Sequence, residues 1–166
     1  QHHSGYVSVA MRQGDLFLIG RMAREYPSIV RRIYNAGHSI GTHTENHPLA
    51  LQRLPLQRVA SEVETGVASV DVALGNPKAL SPFFRIPGLA RNDAIDNYLT
   101  SKSLVTWSAD VVADDWFRHI SAKAIVQRAM RRLEAKGRGI LLLHDIHPAT
   151  ATALPMLLHE LKTRGF

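Results

Sequence analysis

The chain has 166 residues, of which 45% are hydrophobic and 20% charged, and this size and composition are typical of one globular domain. It has no cysteine, which excludes disulfides and thiolate metal sites, so any metal ligand must be His, Asp or Glu. No stretch approaches 18 uncharged apolar residues, so no membrane span is predicted. The net charge of +6 favours anionic partners in general, but no aromatic ladder lies among the basic residues, so no nucleic-acid partner is predicted.

The first half of the chain predicts one strand followed by two helices. Residues 16–20 form a short apolar run ending in Gly20, which indicates a buried strand. A helix is predicted over residues 22–36, with Gly37 as its C-terminal stop. The second helix, over 55–75, has apolar residues every three or four positions, as expected for a helix with one face in the core.

The second half predicts three strands alternating with three helices. The strands are expected at 82–85, 104–107 and 139–143, and the helices at 91–101, from a Ser121 cap to Lys136, and at 150–164. The strand at 139–143 is aliphatic after its glycine, so both of its faces are predicted to be buried. This alternation favours an α/β domain with a mainly parallel sheet or barrel.

Polar side chains follow several of the predicted strands or short apolar segments. In folds of this kind, functional side chains lie at the C-terminal ends of the strands. We therefore expect one rim of the domain to bring together five residues: His43, His47, Arg85, Asp110 and His144.

The most specific local pattern is the pair of histidines in His43-Thr44-Glu45-Asn46-His47. Histidines at i and i+4 share one face of a helical turn, so both imidazoles can reach one metal ion. Thr44 stands where a metalloprotease H-E-x-x-H motif has glutamate, which argues against that class. Glu45 is predicted to point away from the histidine face into solvent. The alternative interpretation is two surface histidines.

The other candidates are acid–base residues and their neighbours. His144 ends a predicted buried strand, which suits a fixed general acid, although a histidine at the edge of the core is the alternative. Asp110 or Asp115 is expected to raise its pKa and hold its tautomer. Arg85 lies between aromatic residues and a Pro-Gly turn, so partial burial beside a carboxylate is expected. Trp116 is predicted to form a pocket wall.

Taken in order, these segments resemble the polysaccharide deacetylase family, also called the NodB homology domain or carbohydrate esterase family four. The resemblance covers about residues 16–166 and rests on four ordered motifs. Residues 17–20 and 37–48 resemble the family's FFxxG … GHxxGxHxxxHP run, residues 84–88 its R-x-P motif, residues 110–116 its D…DW motif, and residues 142–145 its L-x-H-D motif.

This resemblance implies a distorted (β/α) barrel that removes N-acetyl groups from amino-sugar polymers such as chitin or peptidoglycan. It implies a single domain over 1–166, in which residues 1–15 are a tag or non-homologous segment. His43 and His47 would be ligands of a divalent metal, with zinc as the first expectation and cobalt or nickel as alternatives. The implied location is extracellular, periplasmic or in the cell envelope, although no signal peptide is visible in the chain.

The resemblance also assigns roles around the substrate. Arg85 would orient the catalytic base, and Asp110 or Asp115 would tune His144, which would protonate the leaving amine. Four further residues would contact the substrate, of which the last two would pack around the acetyl methyl group: Pro87, Gly88, Trp116 and Leu142.

The chain departs from the family at its start, because the acidic T-F-D-D-G-P motif is absent. Only Asp15 precedes the first matching strand, and it is expected at the wrong end of the barrel. The barrel is therefore predicted to be incomplete at its N-terminus, with an exposed edge that allows oligomerisation. Loss of the base is expected to reduce the rate by about 10²–10⁴-fold. The alternatives are an inactive carbohydrate-binding or scaffolding domain, or a hydrolase of small non-peptide amides.

Overall fold

The computed structural model describes residues 13–166 of the chain. They divide into two compact units, one that ends at Trp107 and one that spans Ser108–Phe166. Within the described part, no helix is long and apolar enough to cross a membrane.

The first unit is a parallel sheet with helices between its strands. Its four strands lie in chain order and are β1 (Asp15–Leu18), β2 (Ser39–Thr42), β3 (Leu80–Phe84) and β4 (Val105–Thr106). Its helices are α1 (Gly20–Glu25), α2 (Pro27–Asn35), α3 (Leu56–Leu74) and α4 (Asp93–Ser101). Short 3₁₀ turns at Leu51–Arg53 and Pro87–Leu89 lie before α3 and after β3. The predicted α/β architecture with a parallel sheet is therefore confirmed.

The prediction of one helix over residues 22–36 was wrong, because α1 and α2 are separate helices. The break lies at Tyr26, whose φ of −125° and ψ of 54° are not helical. Pro27 causes it, since a proline disfavours helical backbone at the residue before it and is itself well suited to the first position of a helix.

Two apolar clusters hold the helices on the sheet of the first unit. Leu16 and Leu18 of β1 pack on the first cluster, which joins α1, α2 and α3 to Ile40 of β2. The second cluster joins α3 and α4 to the end of β3 and consists of Leu51, Val59, Val63, Phe84, Ile86, Ile95 and Leu99. The three- and four-residue apolar spacing predicted for α3 is thus confirmed. The clusters also fix the positions of β2 and β3, whose C-terminal ends are followed directly by His43 and Arg85.

The second unit has a short parallel sheet and two long helices. Val111 and Val112 form β5, which pairs with β6 (Leu141–Leu142). Helix α5 (Ala122–Lys136) and helix α6 (Pro148–Thr163) pack through a cluster that includes Ile125, Ala129, Met130 and Leu157. The Ser121 side chain accepts a hydrogen bond from the Ala124 amide, and Gly137 ends α5 at a φ of 75°, so the predicted cap and stop are both confirmed.

Two details of the second unit differ from the sequence prediction. Strand β5 was not predicted, because its two valines offer no pattern longer than a single pair. The strand predicted over 139–143 is shorter, and its burial on both faces was overestimated: Leu142 is 8% exposed, whereas Ile140, before β6 begins, is 39% exposed.

Candidate active site

The two histidines lie on a tight loop that directly follows β2. We call His43–His47 the histidine loop. Thr44 and His47 have φ values of 63° and 59°, so the loop is a left-handed turn and the predicted helical turn is wrong. The Thr44 hydroxyl closes it, because its oxygen accepts a hydrogen bond from the His47 amide at 3.1 Å and its proton is donated to the His43 carbonyl.

The loop brings the two imidazoles together despite its unexpected backbone. The Nε2 atoms of His43 and His47 are 3.0 Å apart, and the ring planes are inclined at 68°. The other nitrogen of His43, Nδ1, is 2.6 Å from the carbonyl oxygen of Arg85. A carbonyl only accepts, so Nδ1 carries the proton and Nε2 of neutral His43 presents a lone pair toward His47.

This geometry fits two ligands of one divalent ion. With metal–nitrogen bonds of about 2.0–2.1 Å, two nitrogens at this separation subtend roughly 95° at the metal, an angle between octahedral and tetrahedral values. A metal-binding histidine commonly donates its second ring N–H to a backbone carbonyl, as His43 does to Arg85. Among residues 13–166, however, no group of three or more potential ligands surrounds a single point.

Asp15 lies at the opposite end of the strands from the histidine loop. It begins β1 and pairs with Ser39, whereas His43 follows Thr42, the last residue of β2. This placement is the one that the sequence predicted. Residues 1–14 contain neither Asp nor Glu, so they supply no carboxylate.

Arg85 directly follows β3 and is 8% exposed, as the sequence predicted for a residue in partly buried surroundings. Its guanidinium carbon lies 4.1 Å from the centre of the Phe17 ring, a distance typical of a cation–π contact. Burial lowers the pKa of Arg85, and the negative charge of Asp15 partly offsets this shift. Arg85 thus contributes twice to the first unit, through a buried side chain and through the carbonyl that orients His43.

In the second unit, Asp115 and His144 form a hydrogen-bonded pair at the C-terminal ends of β5 and β6. Asp115 is fully buried, with 0% exposure. Its Oδ1 accepts from His144 Nδ1 at 2.9 Å, and its Oδ2 accepts from the His144 amide at 2.6 Å and from the Thr150 hydroxyl at 3.0 Å. Burial alone would raise the pKa of Asp115, but the hydrogen bonds from His144 and Thr150 outweigh it and lower that pKa below its ordinary value.

The Asp115 carboxylate therefore fixes the tautomer of His144. It accepts the Nδ1 proton, so Nε2 is the nitrogen that can exchange a proton with another molecule. The edge of the Trp116 ring meets the His144 ring, with centroids 5.6 Å apart. His147 donates from Nε2 to the Trp116 carbonyl at 3.1 Å and so ties this segment to the start of α6.

Asp110 follows β4 in the chain, as predicted, but it also directly precedes β5 and so lies at the other end of β5 from His144. It accepts hydrogen bonds from Lys136 Nζ at 2.7 Å and from the Ile140 amide at 2.9 Å. The unpredicted strand β5 separates it from Asp115, so Asp115 is the carboxylate that pairs with His144. The third acidic residue, Asp114, is bound by Arg128 and Arg132 and stabilises the start of the following loop.

The match to a known family decides the identity of the fold. Residues 13–107, more than half of the chain, match the family described as polysaccharide deacetylase. The chain belongs to the polysaccharide deacetylase family. Members of this family are metal-dependent hydrolases of amide C–N bonds, and the resemblance inferred from the ordered motifs is confirmed.

Individual relatives agree with the family assignment. A chitooligosaccharide deacetylase from Azorhizobium caulinodans is 34% identical over 169 residues, an alignment that covers 90% of this chain and 75% of the relative. A peptidoglycan-N-acetylglucosamine deacetylase from Bacillus cereus is 28% identical over 160 residues. That alignment covers 93% of this chain but only 58% of the relative, so the chain spans little more than half of that protein's length.

A solved structure shows the same fold. The family 4 carbohydrate esterase from Streptomyces lividans, determined in complex with acetate, matches with a TM-score of 0.80 and 28% identity. The match covers 92% of this chain and 76% of the esterase. The predicted fold class, that of a polysaccharide deacetylase, is thereby confirmed.

Two features of this polysaccharide deacetylase fold escaped the sequence prediction. Glu45, expected in solvent, is 5% exposed and forms an ion pair with Arg24. Phe117, which was not considered, is 56% exposed and packs beside Trp116 with ring centroids 5.6 Å apart. The aromatic pair Trp116-Phe117 was visible in the sequence, but the burial of Glu45 depends on a backbone turn that i, i+4 spacing does not reveal.

Proposed function

We propose that the chain is the catalytic domain of a metal-dependent deacetylase acting on N-acetylated amino-sugar polymers of the chitin or peptidoglycan type. The observation that carries this proposal is the pair of Nε2 atoms 3.0 Å apart on the histidine loop. The names of the relatives support the substrate class, since they are described as deacetylases of peptidoglycan and of chitooligosaccharide.

His43 and His47 would hold a divalent metal, zinc in the first place and cobalt or nickel as alternatives. When bound, such an ion polarises an amide carbonyl and activates water. The protein's own contribution is orientation, because the Arg85 carbonyl accepts the Nδ1 proton of His43 and turns its Nε2 lone pair toward His47. The buried Arg85 guanidinium adds a positive charge that would orient a carboxylate base.

His144 would act as the general acid. In its imidazolium form, His144 keeps its Nδ1–H hydrogen-bonded to Asp115. It gives the Nε2 proton to the leaving nitrogen as the amide C–N bond breaks. The buried Asp115 carboxylate fixes the ring orientation through its hydrogen bond from Nδ1. Asp115 is thus the positioning residue, and Asp110 has no part in this step.

Each unit offers groups of its own that could contact a substrate. Trp116 is 38% exposed beside His144, and Leu142 is buried on β6 in the same unit. In the first unit, Pro87 is buried and Gly88 has a φ of 64°, a conformation that favours glycine. We propose Trp116 and Leu142 as contacts of the acetyl methyl group, and Pro87 and Gly88 as substrate contacts through the backbone.

The general base is the missing part of this scheme. Asp15 is at the wrong end of the strands, and residues 1–14 supply no acid.

The experiment is acetate release from chitooligosaccharides and peptidoglycan fragments, with zinc, cobalt or nickel added and with chelator as the reference. The proposal predicts metal-dependent acetate release that is lost in the His43→Ala/His47→Ala double variant. Metal binding without acetate release would favour an inactive carbohydrate-binding domain. Acetate release only from small amides would favour the second alternative, a hydrolase of non-polymeric substrates.

A further inference from the structure

Glu45 is a buried carboxylate at the centre of the histidine loop. It is 5% exposed, and its Oε1 accepts a hydrogen bond from Arg24 of α1. Its Oε2 is buried and has no hydrogen-bond partner among the residues that the structure describes. Burying a charged group is costly unless it is paired, so a carboxylate in this place requires a structural reason.

The backbone around Glu45 joins the loop to two helices. The Glu45 amide donates to the Glu62 carbonyl of α3 at 2.9 Å, and the Arg21 amide of α1 donates to the Glu45 carbonyl at 3.1 Å. One residue earlier, the Thr44 carbonyl accepts from the Gly20 amide at 2.9 Å. The middle of the histidine loop is therefore held between the start of α1 and the middle of α3.

Two glycines make this close approach possible. A Cβ atom on Gly66 of α3 would lie 2.6 Å from the carbonyl carbon of Thr44, and one on Gly20 of α1 would overlap Glu45 Oε2. Real Cβ atoms do not approach other atoms so closely. Both helices are thus shaped to receive this loop and its carboxylate.

The loop needs such support because its backbone is strained. Thr44 and His47 are both in the left-handed region, with φ values of 63° and 59°, which is unfavourable for residues other than glycine. Residues in such conformations persist only where the surrounding structure determines them strongly. The two strained residues lie on either side of Glu45 and Asn46, and His47 is itself one of the paired histidines.

We propose that Glu45 is a positioning residue: with Arg24 it holds the histidine loop in the strained turn that brings the Nε2 atoms of His43 and His47 together. This inference rests on the proposed function only for its metal readout. Without the Glu45 carboxylate, the loop relaxes from the left-handed turn and the two imidazoles separate. Glu45 is not among the residues proposed to hold the metal, and its role is exerted through the loop.

The test compares three variants with a matched control. Glu45→Ala removes the carboxylate, Glu45→Gln keeps its shape without its charge, and Arg24→Ala removes its ion-pair partner, whose side chain is 56% exposed. The control is Glu64→Gln. Glu64 is another carboxylate of the first unit, exposed on α3 and paired with Lys102. Circular dichroism confirms that each variant is folded.

Two properties are measured for each variant. The first is zinc affinity, measured by competition with a chromophoric chelator. The second needs no metal and is the hydrogen-exchange rate of the His47 amide, which is bonded to Thr44 Oγ1, and of the Glu45 amide. A purely structural role of Glu45 elsewhere in the unit would not speed exchange selectively in this loop.

We expect Glu45→Ala to weaken zinc binding by about 10–100-fold, with smaller losses in Glu45→Gln and Arg24→Ala and none in Glu64→Gln. The amide-exchange rate in the histidine loop should rise most in Glu45→Ala, less in Glu45→Gln and Arg24→Ala, and not at all in Glu64→Gln. Wild-type zinc affinity and unchanged exchange in Glu45→Ala would overturn the inference. If the wild-type chain binds no zinc but Glu45→Ala still speeds exchange at His47, the positioning role stands and the proposed metal function fails.

Discussion

The imidazole of His43 is oriented by a main-chain carbonyl, and that of His144 by a buried carboxylate. In both cases Nδ1 carries a proton and donates it to that oxygen. The two environments differ in charge, because His43 Nδ1 donates to a neutral main-chain carbonyl, whereas His144 Nδ1 donates to the Asp115 carboxylate. This difference supports the proposal that His43 and His47 hold a metal and that His144 transfers a proton.

Replacing Asp115 by Asn tests the role of the carboxylate. The amide removes the negative charge and presents a donor to His144 Nδ1 in one of its two orientations, so the hydrogen bond that fixes the tautomer and orientation of His144 is weakened. We expect kcat for deacetylation to fall by about 10²–10⁴-fold with little change in KM, as for loss of a general acid. The measurement is steady-state acetate release, with Asp110→Asn as the control because Asp110 lies at the far end of β5. An equal loss of kcat in both variants would contradict the assignment.

The side chain of Phe117 is a candidate for stacking on a sugar ring beside Trp116. Both are exposed, and their rings are 5.6 Å apart. We expect Phe117→Ala to raise KM for chitooligosaccharides several-fold while kcat is unchanged, because stacking contributes equally to the ground state and the transition state. Val72→Ala, at a 74% exposed site on α3 in the first unit, is the control. A fall in kcat without a change in KM would argue against a stacking role.

At the scale of secondary-structure elements, the histidine loop depends on how closely α3 approaches it. Gly66 is buried on α3, and any Cβ there would meet the Thr44 carbonyl group at 2.6 Å. Because the contact is with backbone and not with a flexible side-chain end, neither partner can move aside without moving the loop. The packing of one helix is in this way linked to the geometry of the paired imidazoles.

Gly66→Ala is therefore expected to lower the free energy of unfolding by about 1–3 kcal/mol through overpacking, and to weaken zinc binding as the loop shifts. The neighbouring exposed position provides the control, since Thr65→Ala should change stability by less than about 0.5 kcal/mol. Urea denaturation and zinc titration measure the two effects. A Gly66→Ala protein with unchanged stability would show that the loop accommodates the extra methyl group.

Asp115 links β5, β6 and α6 through its hydrogen bonds, so the stability of the folded protein should depend on pH. Its pKa is lowered in the folded protein, so its stabilising contribution is complete above the ordinary carboxyl pKa of about 3.9 and is lost as the pH falls through the lowered folded value. We expect Tm to fall steeply below about pH 4 in the wild type and less steeply in Asp115→Asn. Parallel Tm–pH curves for the two proteins would contradict this account.

For the whole molecule, the alternation of elements and the order of the motifs were enough to predict the fold class and the family. Sequence patterns failed where a few residues override them. Pro27 divides the predicted first helix, and two valines form the strand β5, which is too short for a recognisable pattern. Since β5 was missed, the sequence did not distinguish Asp110 from Asp115 as the partner of His144.

The candidate site was predicted in its residues but not in its geometry. The i, i+4 spacing of His43 and His47 correctly suggested that the rings meet, but the backbone that brings them together is left-handed at two non-glycine residues. Such a conformation is set by tertiary contacts with α1 and α3, and no local pattern reports it. The burial of Glu45 and the use of the Arg85 carbonyl follow from the same contacts.

The measurement that tests the central claim most directly is a calorimetric titration of the chain with zinc, in parallel with the His43→Ala/His47→Ala variant. We expect one saturable site per chain in the wild type and none in the double variant, with both proteins equally folded. Identical zinc binding by the two proteins, or no binding by the wild type, would contradict the claim that these histidines form the metal site.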